Sequence, residues 1–143
     1  MTFFSYSRQD VLLHWADDIE PELRRAVAVE GKPLREVFWE LASGESEAFR
    51  VVTGAVTGIV VVTLGVFDGV MCCWLNYVAG SIDGGPRQFI SAAREIATEI
   101  ETLARKAGCI ELRGGGRNWS RVFPEWEHFD PDNPNRMRKR LDG

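Results

Sequence analysis

Val60-Val61-Val62-Thr63-Leu64-Gly65-Val66-Phe67, then Asp68-Gly69, then Val70-Met71-Cys72-Cys73-Trp74-Leu75-Asn76-Tyr77-Val78 is the stretch that decides the fold. Two β-branched, apolar runs flank an Asp-Gly pair. Both central residues of a two-residue hairpin turn need positive φ, which Asp and Gly tolerate, so the stretch predicts an antiparallel hairpin. Downstream, Gly80 to Gly85 reads as a glycine-rich loop opening a helix from about Pro86 to Ala107, and Cys109-Ile110-Glu111-Leu112 reads as a further strand. A strand, helix and strand in one sheet make a right-handed crossover between parallel strands.

Upstream, Phe49 to Thr53 predicts a strand, Gly54 to Gly58 a turn, and Ile59 to Phe67 the next strand, giving a three-stranded meander with Val70 to Val78. The runs are apolar almost throughout, so helices are expected on both faces. Ser7-Arg8-Gln9-Asp10 is a capping box with Asp in place of Glu, so a helix starts near Arg8. Leu12, Trp15, Ile19 and Leu23 form its apolar stripe. Pro21 lacks an N–H, which predicts a break or kink near Asp17 to Glu20. A second helix is bounded by Pro33 and Ser43, with Gly44 placed to end it. Asn118 to Phe123 predicts a short helix or turn. The expected fold class is therefore α/β (α+β): a mixed, mainly antiparallel sheet with one parallel crossover. Residues 1–125 are expected to form the domain, and residues 126–143 an extended basic tail.

The 143 residues carry 45% apolar and 27% charged side chains and a net charge of −4, which argues against a general nucleic-acid binder. No apolar run reaches the roughly 20 residues of a membrane helix. The first five residues lack the basic start of a signal peptide, so a cytoplasmic setting is expected, with the three cysteines reduced. No His/Cys/Asp/Glu spacing suggests a metal. Cys109 has no base nearby in sequence and reads as a buried thiol. His14 beside the helical stripe reads as a structural or surface histidine.

Several segments, taken together and in order, resemble the GNAT superfamily of acyl-CoA-dependent N-acyltransferases, and more closely the small GNAT-like proteins of tailed bacteriophages. They are Trp15 with Ile19 and Leu23, Leu41-Ala42-Ser43-Gly44, the helix-to-strand junction Ile100 to Cys109, and Gly116-Arg117-Asn118-Trp119-Ser120-Arg121-Val122-Phe123. The last is similar to the family's Gly-Arg-x-Gly-Trp-x-Arg-Val-Leu, with Asn118 where glycine is usual. The resemblance implies that Val70–Val78 and Cys109–Leu112 splay apart and admit the pantetheine arm of acetyl-CoA or another acyl-CoA. Tyr77 and Val78 would lie beside that arm, and Gly84, Gly85 and Arg87 beside the pyrophosphate.

This chain departs from the family in that loop, Ser81-Ile82-Asp83-Gly84-Gly85-Pro86-Arg87-Gln88, where Pro86 removes a donor and Asp83 adds a negative charge. The family's acidic tyrosine has no counterpart, since Tyr6 and Tyr77 are the only tyrosines. The final hairpin is expected to be missing. Glu111 is the weak candidate for general base, although a strand carboxylate facing solvent is the plainer reading. These departures favour a degenerate, non-catalytic GNAT-like protein, structural or virion-associated, that binds no cofactor. The alternative is an N-acyltransferase acting on an amine. Trp119, Trp126 and Phe129 beside the tail suggest a protein partner or a second copy. Arg136, Arg138, Lys139 and Arg140 suggest a weak nucleic-acid contact.

Overall fold

Asp68 and Gly69 do take positive φ, 55° and 78°, and the hairpin they close is the centre of a seven-stranded sheet. The computed structural model describes residues 2–24, 33–54, 56–82, 84–114, 119–120 and 122–141. The strands are β1 (Thr2–Ser5), β2 (Glu47–Val52), β3 (Val56–Phe67), β4 (Val70–Ile82), β5 (Glu111–Gly114), β6 (Glu127–His128) and β7 (Met137–Arg140). Their order across the sheet is β1-β2-β3-β4-β5-β7-β6, and among the described residues β4–β5 is its one parallel pair.

Helix α1 (Arg8–His14) opens with the expected capping box: Ser7 Oγ accepts from the Asp10 N–H at 3.1 Å, and Asp10 Oδ2 from the Ser7 N–H at 3.2 Å. Pro21 has its predicted effect. The chain widens into a π-helical turn over Trp15–Ile19, where the Glu20 N–H donates to Trp15 O, before residues 20–24 resume an α-helix. Helix α2 (Leu34–Ser43) ends at Gly44, which sits at φ 82°. Val11, Ile19, Leu23, Val37 and Leu41 pack these segments on Ala48, Ile59, Val61, Tyr77 and Ala79 of one sheet face. Helix α3 (Pro86–Lys106) covers the other face, setting Ala97, Ile100 and Ala104 against Phe49, Val60, Val62, Cys73 and Leu112.

The structure departs from these expectations at several points. Strand β1 was not anticipated, because four residues carry little periodic signal. Strand β4 runs four residues past Val78, and β5 begins at Glu111 rather than Cys109. The final hairpin is present: β7 pairs antiparallel with β5, and β6 with β7. Its basic sequence hides the alternation. Met137 and Lys139 face α3, where Met137 is fully buried and Lys139 meets Glu101 at 2.9 Å, while Arg138 and Arg140 point to the opposite face. Trp126 is buried in the α3 core and stacked on Phe123.

Candidate functional site

Strands β4 and β5 pair only from Cys72↔Glu111 to Leu75↔Gly114. Strand β4 then continues through Ile82 with no strand on that side among the described residues. The change happens at a β-bulge. Val62 lies opposite Leu75 and Val61 opposite Tyr77, leaving Asn76 as the extra residue.

The bulge also settles which backbone groups face the open edge. The Ile110 N–H donates to Met71 O at 2.9 Å, so Met71, Cys73 and Leu75 address β5, and their side chains lie on the α3 face. Beyond the bulge the residues on that face are Val78, opposite Val60, and Gly80, opposite Gly58. Strand alternation therefore turns the N–H and C=O of Val78 and Gly80 outward. Tyr77 is different: its ring is buried in the helix-packed core on the far face, and its backbone addresses β3.

Gly58 and Gly80 face each other so closely that a Cβ on Gly80 would lie 2.5 Å from Thr57 O. Gly58 and Gly80 themselves put no side chain on that stretch of the α3 face. Gly84 has φ 128°, and Gly85 is the N-cap of α3. Glycine offers no capping side chain, and Gln88 Oε1 instead turns back to accept from the Gly85 N–H at 2.9 Å. The N–H groups of Arg87 and Gln88 are left without a side-chain cap among the described residues, and the Arg87 residue is exposed. Such a helix start suits an anion. Asp83 lies outside the described residues.

Glu111 sits at the opposite end of β5, about 10 Å of strand from the point where pairing stops. It is buried, with Oε2 accepting from Arg113 Nε at 3.0 Å and Oε1 3.6 Å from Arg138 Nη1. Arg113 is buried too, reaches Asp68 at 3.2 Å, and lies 4.8 Å from the Phe129 ring centroid. Glu111 is thus a counter-ion inside an arginine cluster. A general base must present a free lone pair to the amine. Sequence reasoning missed the cluster because its members lie on four separate segments.

Each basic residue of β7 and its approach has a carboxylate beside it: Arg136–Asp130 at 3.1 Å, Arg138–Glu127 at 2.8 Å, Lys139–Glu101 at 2.9 Å and Arg140–Glu127 at 3.8 Å. Tyr6 is buried, bonded to Asp18 and accepting from Arg50 Nε at 3.0 Å. Burial, then the bond to Asp18, pushes its hydroxyl above the ordinary tyrosine range.

All three thiols are buried and free, and burial pushes each of them up, Cys73 from 9.0 to about 12. Cys109 is therefore no ready nucleophile. A folded-state value above the unfolded one stabilises the fold fully below pH 9.0, and that stability is lost as pH climbs toward about 12. For Cys73 the shift is worth about 4 kcal/mol. Urea unfolding at pH 8 and pH 10.5 is expected to show a steeper alkaline loss for the natural chain than for Cys73→Ala.

No known family model matches the sequence, and no curated protein does. Solved structures match over nearly all of it. The aminoglycoside 6′-N-acetyltransferase from Enterococcus faecium aligns with TM-score 0.64 and 12% identity, covering 100% of this chain and 98% of that one. Tetrahymena GCN5 aligns with TM-score 0.61 and 10% identity, covering 99% and 96%. FeeM, an N-acyl amino acid synthase from uncultured soil microbes, aligns with TM-score 0.52 and 12% identity, covering 98% and 93%.

This is the GNAT fold. Part of the resembling segment Gly116–Phe123 lies outside the described residues. Its end forms a turn in which the Phe123 N–H donates to Trp119 O at 2.8 Å. Among the described residues no helix is long and apolar enough to cross a membrane, and no cluster of His, Cys, Asp or Glu would hold a metal ion.

Proposed function

We propose that the chain is an acyl-CoA-dependent N-acyltransferase that moves an acyl group to an amine. The observation that carries this reading is the outward-facing edge of β4 at Val78 and Gly80, unpaired among the described residues and close to a helix start with uncapped N–H groups. An extended amide chain adds to such an edge as a strand would. The N–H and C=O of Val78 and Gly80 would pair with the pantetheine amides. Arg87, with the N–H groups of Arg87 and Gln88, would hold the pyrophosphate, and Gly84 and Gly85 keep that approach free of side chains. When bound, acyl-CoA supplies a thioester carbonyl for the amine to attack. Both tyrosines are buried away from the edge, so solvent protonates the departing thiolate.

A non-catalytic role drew support from the altered loop before α3, the absent family tyrosine, a missing final hairpin and the aromatic, basic residues near the C-terminus. The hairpin is present, Trp126 is packed inside, and nothing in the fold or its neighbours singles out a bacteriophage protein. Calorimetric titration with acetyl-CoA is expected to give a dissociation constant between about 1 μM and 1 mM, the usual range for enzyme substrates. An absence of heat at millimolar ligand rejects the proposal.

A further inference from the structure

Along the open edge the α3 face of the sheet is thinly covered: Val78 is 44% exposed, and Gly58 and Gly80 carry no side chain. The covering changes where β4 meets β5. Leu75 lies opposite Gly114, and a Cβ on Gly114 would sit 3.5 Å from Trp126 Cζ3 and 3.9 Å from Leu75 Cβ. The Trp126 ring therefore lies over the bare glycine. Trp126 is only 6% exposed, and its ring is stacked on Phe123 with centroids 5.2 Å apart, so core packing holds it in place. The other face at this level is filled by Arg113, buried against Glu111 and 4.8 Å from the Phe129 ring centroid. In the plane of the sheet the β4–β5 ladder closes the gap.

We infer that Trp126 sets the length of the donor's acyl group: it stops the chain after the acetyl methyl, which makes acetyl-CoA the donor and excludes longer acyl-CoAs. This rests on the transferase reading above. An arm with its pyrophosphate at the start of α3 and its amides on Val78 and Gly80 runs down β4 toward Leu75, because α3 follows the far end of that strand. From phosphorus to sulfur the extended arm is about 16 Å, the length of about five extended residues. Gly80 to Leu75 is also about 16 Å of strand. The sulfur thus reaches the junction of β4 with β5, and whatever follows it meets Trp126. A hydrocarbon chain gains from burial only against apolar surface. The apolar side of the junction is the one that the indole, with Leu75 and Phe123, already fills, and a close-packed site has no room for further methylenes.

The test is calorimetric titration with CoA, acetyl-CoA, butanoyl-CoA and octanoyl-CoA of the natural chain, Trp126→Leu and Trp126→Phe, with circular dichroism to show which variants fold. The natural chain is expected to bind butanoyl-CoA and octanoyl-CoA about tenfold or more weakly than acetyl-CoA. Trp126→Leu takes the ring out of the junction and is expected to bring butanoyl-CoA to within about threefold of acetyl-CoA, while affinity for CoA itself changes by less than about threefold. If Trp126→Leu does not fold, Trp126→Phe keeps a ring to stack on Phe123 and is expected to reduce the butanoyl penalty about threefold or more. Octanoyl-CoA bound by the natural chain as tightly as acetyl-CoA overturns the inference and leaves the transferase standing. So does a butanoyl penalty that persists unchanged in the folded variant. Failure of the natural chain to bind acetyl-CoA removes the proposed function and this inference together.

Discussion

Replacing Val78 by proline is expected to weaken acetyl-CoA binding about 30-fold, roughly 2 kcal/mol, while the protein stays folded. The Val78 N–H points away from β3, so the sheet makes no use of it, and proline is tolerated where a strand's N–H faces outward. Any bound amide chain would need that donor. Losing it forfeits one hydrogen bond and leaves the ligand's carbonyl unsatisfied, and the ring crowds the same edge. Ala79→Pro is the matched control. Its N–H faces β3, so it is expected to unfold the protein rather than to weaken binding. Calorimetry and circular dichroism on both variants decide the matter. Natural affinity in Val78→Pro would mean that β4 does not hold the donor.

What was legible in the sequence was whatever local chemistry dictates. Asp68-Gly69 demanded a hairpin, Pro21 a break in the first helix, Gly44 a left-handed stop, and the stripe from Phe89 to Ala104 a helix on the sheet. The open edge was expected only from the family resemblance; Val78 lies on it, and Gly85 and Arg87 lie at the start of the helix that follows β4. Its length was not legible. Ala79-Gly80-Ser81 has weak strand propensity and extends β4 only because Gly58 allows close approach from the neighbouring strand. The bulge escaped notice because it is a mismatch in count between two paired strands, and neither strand shows it alone. The same holds for Glu111, where a lone acidic residue in a short strand suggested solvent or catalysis. Its surroundings are set by Arg113 across one pleat and by Arg138 from the far end of the chain, joined only by tertiary pairing.

That cluster makes the second strong expectation. Arg113→Met is expected to cost about 3 kcal/mol or more in unfolding free energy, a large share of the 5–15 kcal/mol of an ordinary domain. Glu111 is only 2% exposed, and losing its 3.0 Å partner leaves Arg138, at 3.6 Å and shared with Glu127, as its remaining counter-ion. The substitution also removes the guanidinium from Phe129, loosening the segment between β6 and β7. The buried pair is not a source of net stability, because both ions gave up hydration to be there. The double variant Glu111→Leu with Arg113→Met is therefore expected to recover most of the loss, since no buried charge is then left short of a partner. Urea unfolding of the natural chain, both single variants and the double closes the cycle. If the double variant is no more stable than Arg113→Met alone, the pair contributes packing and hydrogen bonds that apolar side chains cannot replace, and the cluster is the fastening of the final hairpin rather than a neutralised burial. If it recovers, the hairpin is held by Met137, Trp126 and the β5–β7 ladder, and the charges mainly select which strands meet.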